Sequence, residues 1–225
     1  MQQAHADFHI AVLMDGVEAW RRRESSESAV AYRRACDAVD ATRAAAVRAG
    51  VTRLTLIVPA TAPDPGPRDA PDWPLQVYWP TIAARASDHP IAFRVVGDSA
   101  YEPVQLGQGA PVLDVAFATG HNGRQDILTV VRQLARAAQR GEIDGSAIDA
   151  DTIDRHIASL SIGAPDALLM TGDRPTAGRG ALVWQGAYSE LLLRDRLWPD
   201  VTSDDIEAAI AEFQTRDRRY GAVRG

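Results

Sequence analysis

The residue pair best suited to chemistry in this chain is a carboxylate followed at once by a glycine, where an apolar strand ends. It is Asp15-Gly16, at the close of His9-Ile-Ala-Val-Leu-Met, and it runs on through Trp20 into the basic run Arg21-Arg22-Arg23. In an open α/β sheet, ligands sit beyond the carboxyl ends of the strands. A carboxylate with a glycine turn and a helix start is placed there to hold a metal-bound anion. Locally, the simpler reading is that Asp15 caps the helix after it. Arg21 to Arg23 likewise read first as a solvated helix face, and second as a surface toward an anionic group.

Other reactive side chains are poorly grouped. His5, His9, His89, His121 and His156 show no metal-ligand spacing, so each reads as structural or solvated. His121, in a turn after a strand, is the best alternative acid or base. Cys36, the one cysteine, lies in a helical pattern without a base nearby and reads as a small core residue. No Gly-x-Ser-x-Gly, phosphate loop or dinucleotide fingerprint is present. All 24 basic residues are arginine, which rules out Schiff-base and P-loop lysine chemistry.

Strands alternating with helices must position Asp15. Strands are predicted over 9–15, 53–59, 91–96, 112–117 and 166–170. Helices are predicted over 25–49, stopped by Gly50, over 75–86, over 124–140, stopped by Gly141, and over 151–160. Residues 61–74, rich in proline and aspartate, read as a long loop, and 99–111 and 171–180 as irregular. Ala181 to Leu193 is an apolar segment carrying Trp184 and Glu190. A closing helix spans Ser203 to Arg218, with Thr202 and Asp205 as its capping box. This alternation predicts an α/β fold, with a mostly parallel central sheet flanked by helices.

Length and charge bound the class. At 225 residues the chain reads as a flexible leader, 1–8, and one domain, 9–225. A formal charge of -6 argues against general nucleic-acid binding. No apolar run could span a bilayer and the N-terminus is no signal peptide, so a cytoplasmic protein is expected, with peripheral membrane contact left open.

Three stretches together resemble the signatures of the cis-prenyltransferases, the undecaprenyl diphosphate synthase family. His9-Ile-Ala-Val-Leu-Met-Asp-Gly16 is similar to the first signature. Leu182-Val-Trp-Gln-Gly-Ala-Tyr-Ser-Glu-Leu191, continuing to Leu197-Trp-Pro-Asp200, is similar to the last. Arg216-Asp-Arg-Arg-Tyr-Gly221 is similar to the family's ending, with its Arg-x-Gly element at Arg219 and Gly221. Arg94-Val-Val-Gly-Asp98 and Gly123-Arg124 fall where the family has similar strand ends. The resemblance implies a homodimer, or a heterodimer with a related chain, and an apolar tunnel. It implies an allylic diphosphate bound near the first signature and isopentenyl diphosphate near the last. Mg2+ would sit between them, held by Asp15, the implied catalytic carboxylate, and by Glu190, which taken alone would be a solvated charge on an amphipathic helix. Backbone amides after Asp15-Gly16 would cradle one diphosphate.

The chain departs from the family where the chemistry lies. Asn-Gly-Arg after Asp-Gly is replaced by Val17-Glu18-Ala19, so the turn gains an anionic side chain and loses a cationic one. Ala31-Tyr32 stands for a Gly-His pair. Pro59 to Asp64 replaces a Phe-Ser-x-Glu-Asn-Trp loop, and Arg68 is a candidate substitute for the arginine that follows it. In the isopentenyl clamp the first arginine is Met170, and Arg174 or Arg179 stands for the second. Losing a bidentate arginine should cost roughly 1.5–3 kcal/mol of diphosphate binding. The tunnel segment, 67–88, is interrupted by proline. These features imply an enzyme of short-chain (C5 to C15) allylic diphosphates that performs irregular coupling, transfer to another acceptor, or cyclisation. Trp73, Tyr78 and Trp79 are candidates to shield a carbocation, though core packing is the commoner role. The alternatives are a non-catalytic subunit of a heteromeric prenyltransferase and, third, a conventional polyprenyl diphosphate synthase.

Overall fold

The run His9-Ile-Ala-Val-Leu has no polar face because a strand inside a two-sided sheet has no side to give to water. All five residues of β1 (His9–Leu13) are buried. The structure, a computed structural model, describes residues 7–59, 79, 88–96, 102–119, 123–158, 162–173 and 182–216. After β1 come α1 (Val17–Arg23), α2 (Ser28–Arg48), β2 (Arg53–Ile57), β3 (Ile91–Val96), β4 (Val104–Leu106) and β5 (Leu113–Ala118). Helix α3 (Gly123–Gln139), a 3₁₀ turn at Gly145–Ala147, helix α4 (Ala150–Ala158), strands β6 (Ala167–Met170) and β7 (Glu190–Leu193), a second 3₁₀ turn at Trp198–Asp200 and helix α5 (Ser203–Thr215) complete the order among the described residues.

The seven strands form one sheet, β4-β3-β5-β2-β1-β6-β7. Every neighbouring pair is parallel except β3 with β4. The expected mostly parallel sheet is therefore present, with β1 inside it. Side chains alternate between two cores. Ile10 and Val12 join a cluster that includes Ala35 and Val39 of α2 and Ile206 and Phe213 of α5. Ala11 and Leu13 join Ile57, Ala116, Leu168 and Met170 on the opposite face. Cys36 is buried in the first core, as expected. The predicted capping box closes the start of α5: Thr202 Oγ1 accepts from Asp205 N, and Asp205 Oδ2 accepts from Thr202 N.

Several expectations are corrected. Phe8, assigned to the leader, is 3% exposed, and its ring stacks on Phe213 with centroids 5.0 Å apart. The 99–111 stretch contains β4, a three-residue edge strand that pairs antiparallel with β3. It escaped detection because three residues are too few to show a period. Glu190 lies on no helix. It opens β7, in which Leu192 is fully buried while Leu191 and Leu193 are exposed, a period of two across a sheet edge. Of the predicted 61–74 loop and 75–86 helix only Trp79 lies among the described residues; its ring meets Phe117 edge-on at 6.5 Å, which is core packing. Trp73 and Tyr78 lie outside the described residues. Among those described, no helix is long and apolar enough to cross a membrane.

Candidate functional site

The C-terminal ends of β1 and β6 are fastened together beside Asp15. Thr171 Oγ1 donates to the Leu13 carbonyl at 2.7 Å and accepts from Asp15 N at 3.2 Å. Trp198 N donates to the Asp15 carbonyl at 2.9 Å. The carboxylate accepts from Gly16 N at 2.7 Å through Oδ1. Two glycines make room for it. Gly16 is left-handed, φ 99°, and a Cβ there would lie 2.7 Å from Leu197 Cδ2. Gly172, φ 119°, would place a Cβ 3.2 Å from Asp15 Oδ2. At either position a side chain would strain the backbone and crowd its neighbour.

Asp15 is half-buried, and this burial pushes its pKa up. The Gly16 amide opposes the rise, and the negative charge of Asp173 adds to it. A carboxylate whose charge is disfavoured gains most from a hard cation, and its oxygens are the right donors for Mg2+. Asp15, with Asp173 near it, therefore fits that ion.

The residues after the turn divide by face. Val17 packs with Trp20, Ala31 and Leu197. Glu18, the expected anion in the turn, is on the exposed side and accepts two bonds from Arg21 at 2.7 Å each, which hold its carboxyl below the ordinary range. It does not oppose an anion at the site. Ala19 faces a cavity of about 460 Å³ together with Arg23, Leu197 and Asp200. Asp173, Asp195 and Arg196 line the same cavity. Asp200 accepts from Trp20 Nε1 and from Arg23 Nη2, both at 2.7 Å, and so ties α1 to the 3₁₀ turn. The first-turn amides of Val17, Glu18 and Ala19 have no acceptor within the helix, as at any helix start.

Glu190 is not brought to Asp15 within the chain. Glu190 pairs with Ala167, and Ala167 with Ile10, in parallel register. Asp15 lies five residues beyond Ile10, ~16 Å further along the strands at about 3.3 Å per residue. The Glu190 carboxylate is instead held by Arg216 Nη1 at 3.0 Å, and the same nitrogen donates to the Leu191 carbonyl at 3.1 Å. Met170, where the first clamp arginine was expected, is 1% exposed and belongs to the core. Arg68, His121, Arg174, Arg179, Arg219 and Gly221 lie outside the described residues. Sequence reasoning passed over Thr171, Asp173, Asp195 and Arg196. It noted Arg23 only within a basic run, although its place one helical turn after Ala19 was a usable signal.

Residues 96–221, more than half of the chain, match the Prenyltransf family model, which describes undecaprenyl diphosphate synthases. An isoprenyl transferase of Nitrosomonas europaea is 30% identical over 95% of this chain and 84% of that protein. The Escherichia coli ditrans,polycis-undecaprenyl-diphosphate synthase, specific for (2E,6E)-farnesyl diphosphate, is 26% identical over 98% of this chain and 92% of its own. The crystal structure of lavandulyl diphosphate synthase from Lavandula x intermedia, in complex with dimethylallyl diphosphate, superposes with a TM-score of 0.71 at 20% identity, covering 95% of this chain and 98% of that one. With a mostly parallel sheet carrying the Asp15-Gly16 turn on an inner strand, and with relatives matched along nearly the whole length, the chain belongs to the undecaprenyl diphosphate synthase family of cis-prenyltransferases.

Proposed function

We propose that the protein is a Mg2+-dependent enzyme acting on short-chain (C5 to C15) allylic prenyl diphosphates, by irregular coupling, transfer to another acceptor, or cyclisation. The observation that carries this reading is the Asp15 carboxylate, half-buried just past the end of an inner strand, with Asp173, whose charge acts on it, lining a cavity of about 460 Å³. That volume is ordinary for a small-molecule site. The cavity lining is mostly charged, with Arg23, Arg196 and three aspartates, which suits the diphosphate end of such a substrate.

Asp15, with Asp173 beside it, would hold the metal. Bound there, Mg2+ would neutralise the diphosphate and make it a better leaving group. The chain's own residues do the rest. Thr171 and the Trp198 amide fix the backbone on either side of Asp15, so its carboxylate is preorganised. Gly172 keeps side-chain bulk away from Oδ2. Partial burial at the turn weakens screening by water and strengthens the charge interactions there. Met170 supplies no cation to an isopentenyl clamp, which favours reaction without the standard second substrate.

We further propose a homodimer joined at the β7 edge. β7 is the last strand of the sheet, and Leu191, Leu193 and Tyr188 are exposed there. An open apolar edge is a liability that a second copy would cover. Glu190, which opens β7, would then lie at the contact between copies.

The test uses purified protein with Mg2+ and dimethylallyl, geranyl or farnesyl diphosphate, each alone and with isopentenyl diphosphate, products being read by mass spectrometry. Turnover that Asp15→Asn abolishes supports the reading. Absence of turnover with every substrate favours the second reading, a non-catalytic subunit of a heteromeric prenyltransferase. The engagement of Glu190 by Arg216 and the apolar Met170 are the observations on that side.

A further inference from the structure

We propose that Arg23 and Arg196, which reach the cavity beside Asp15 from two separate segments, are the cations that hold the substrate's diphosphate. This rests on the reading of the protein as an enzyme of prenyl diphosphates, and it assigns the anion-binding residues of that site. Arg23 replaces, from one helical turn further on, the charge that position 19 lacks.

The placement follows from α1. Residues four apart on a helix share a face, and Ala19 and Arg23 both line the cavity. Position 19 contributes only a methyl group, which leaves space, and position 23 supplies a guanidinium at the edge of that space. Trp20 Nε1 and Arg23 Nη2 both donate to Asp200, so the helix is held against the 3₁₀ turn that forms part of the wall. Arg196 is located independently. Its carbonyl accepts from Gly172 N at 2.7 Å, and Gly172 is the residue that abuts the Asp15 carboxylate. The backbone that carries Arg196 is therefore one hydrogen bond from the backbone that flanks Asp15.

Charge in the cavity selects the ligand. Asp173, Asp195 and Asp200 face it along with the two arginines. Asp200 is satisfied by Trp20 and Arg23, but Asp173 and Asp195 have no hydrogen-bond or ion-pair partner among the described residues. A bare anion would meet carboxylates as well as guanidinium groups. A diphosphate accompanied by a divalent cation presents both signs: oxygens for the arginines and positive charge for the carboxylates. Guanidinium forks match phosphate oxygens two at a time, which a point charge does not. Both arginines are half-exposed, Arg23 at 50% and Arg196 at 48%; Arg23 also pairs with Glu24 at 2.8 Å, an exposed contact a diphosphate would replace, and Arg196 holds Asp205 loosely, at 3.3 Å.

The experiment is calorimetric titration of inorganic diphosphate, with Mg2+ in excess, into the full chain and into Arg23→Gln, Arg196→Gln, Arg23→Lys and the double variant Ala19→Arg/Arg23→Gln. Each glutamine variant should raise Kd about tenfold or more, the worth of a charged hydrogen bond. Lysine at 23 should keep part of the affinity. Arginine at 19 should restore binding that Arg23→Gln lost, which no structural role for Arg23 would predict. Arg196 packs in neither core, so its variant tests the claim even where loss of the Arg23–Asp200 pair disturbs α1. If the native chain binds and both glutamine variants bind within twofold of it, the assignment is wrong and the diphosphate reading stands. If the native chain does not bind diphosphate, that reading falls and the assignment with it.

Discussion

Lowering the pH should destabilise this protein through one histidine. His9 opens β1 and is 3% exposed, its Nε2 2.8 Å from Thr55 Oγ1 and its Nδ1 3.3 Å from the Ala164 carbonyl. Burial lowers its pKa from 6.5 to about 4, and the positive charge of Arg53 acts in the same direction; the Ala164 carbonyl, Asp166 and Asp7 oppose it. The native ring therefore stays neutral while the unfolded ring takes a proton. Between pH 6.5 and pH 4 the unfolded state binds more protons, so stability is full above this window and is lost as pH falls through it. The loss should be about 2 kcal/mol by pH 5 and about 3.4 kcal/mol below pH 4, from about 1.36 kcal/mol per unit of pKa difference. That is a large part of the roughly 5–15 kcal/mol of a typical domain. Urea unfolding at steps from pH 7.5 to 4.5 would measure it, with His9→Gln as reference because glutamine does not titrate. The difference between the two curves isolates His9 from the carboxylates. Parallel curves would refute the reasoning, because native His9 would then carry its proton as readily as an unfolded one. Asp15 lies two residues past the end of the same strand, so turnover should fall with the folded fraction.

Three further outcomes are expected. Gly172→Ala, forced to hold a positive φ with its Cβ 3.2 Å from Asp15 Oδ2, should cost about 1–2 kcal/mol in urea unfolding and should lower Mg2+-dependent turnover more than stability. Thr202→Ala removes the side-chain acceptor at the start of α5 and should cost about 1 kcal/mol with no change in turnover. Replacing Leu191 and Leu193 together by glutamate should leave the thermal midpoint of the isolated chain unchanged, both being exposed, and should halve the mass seen by light scattering where the native chain is a dimer.

What was legible in the sequence is what local physics controls. The mainly apolar stretches at 10–14 and 54–58 mark inner strands because a strand buried on both faces needs no polar period, and both strands are inside the sheet. The capping box at Thr202 is legible because its two partners are three residues apart. Glu190 is the instructive case within one chain. Resemblance pairs it with Asp15, and each lies in a recognisable signature, but a signature does not say at which end of a strand its residue falls. In a parallel sheet that end decides the matter: β1 is followed by Asp15 at its C-terminal end, while β7 begins with Glu190 at its N-terminal end. The cavity was hidden for a related reason. Ala19 and Arg23 could have been linked by helical period, but Arg196 comes to them only through the tether of α1 to Asp200 and the hydrogen bond from Gly172 to the Arg196 carbonyl. Both contacts join segments far apart in the chain. A sequence shows which residues can do chemistry; the order and direction of the strands decide which of them meet. Here the carboxylate that the family pattern pairs with Asp15 is at the far end of the sheet, and the arginines that reach its cavity are ones the pattern does not name.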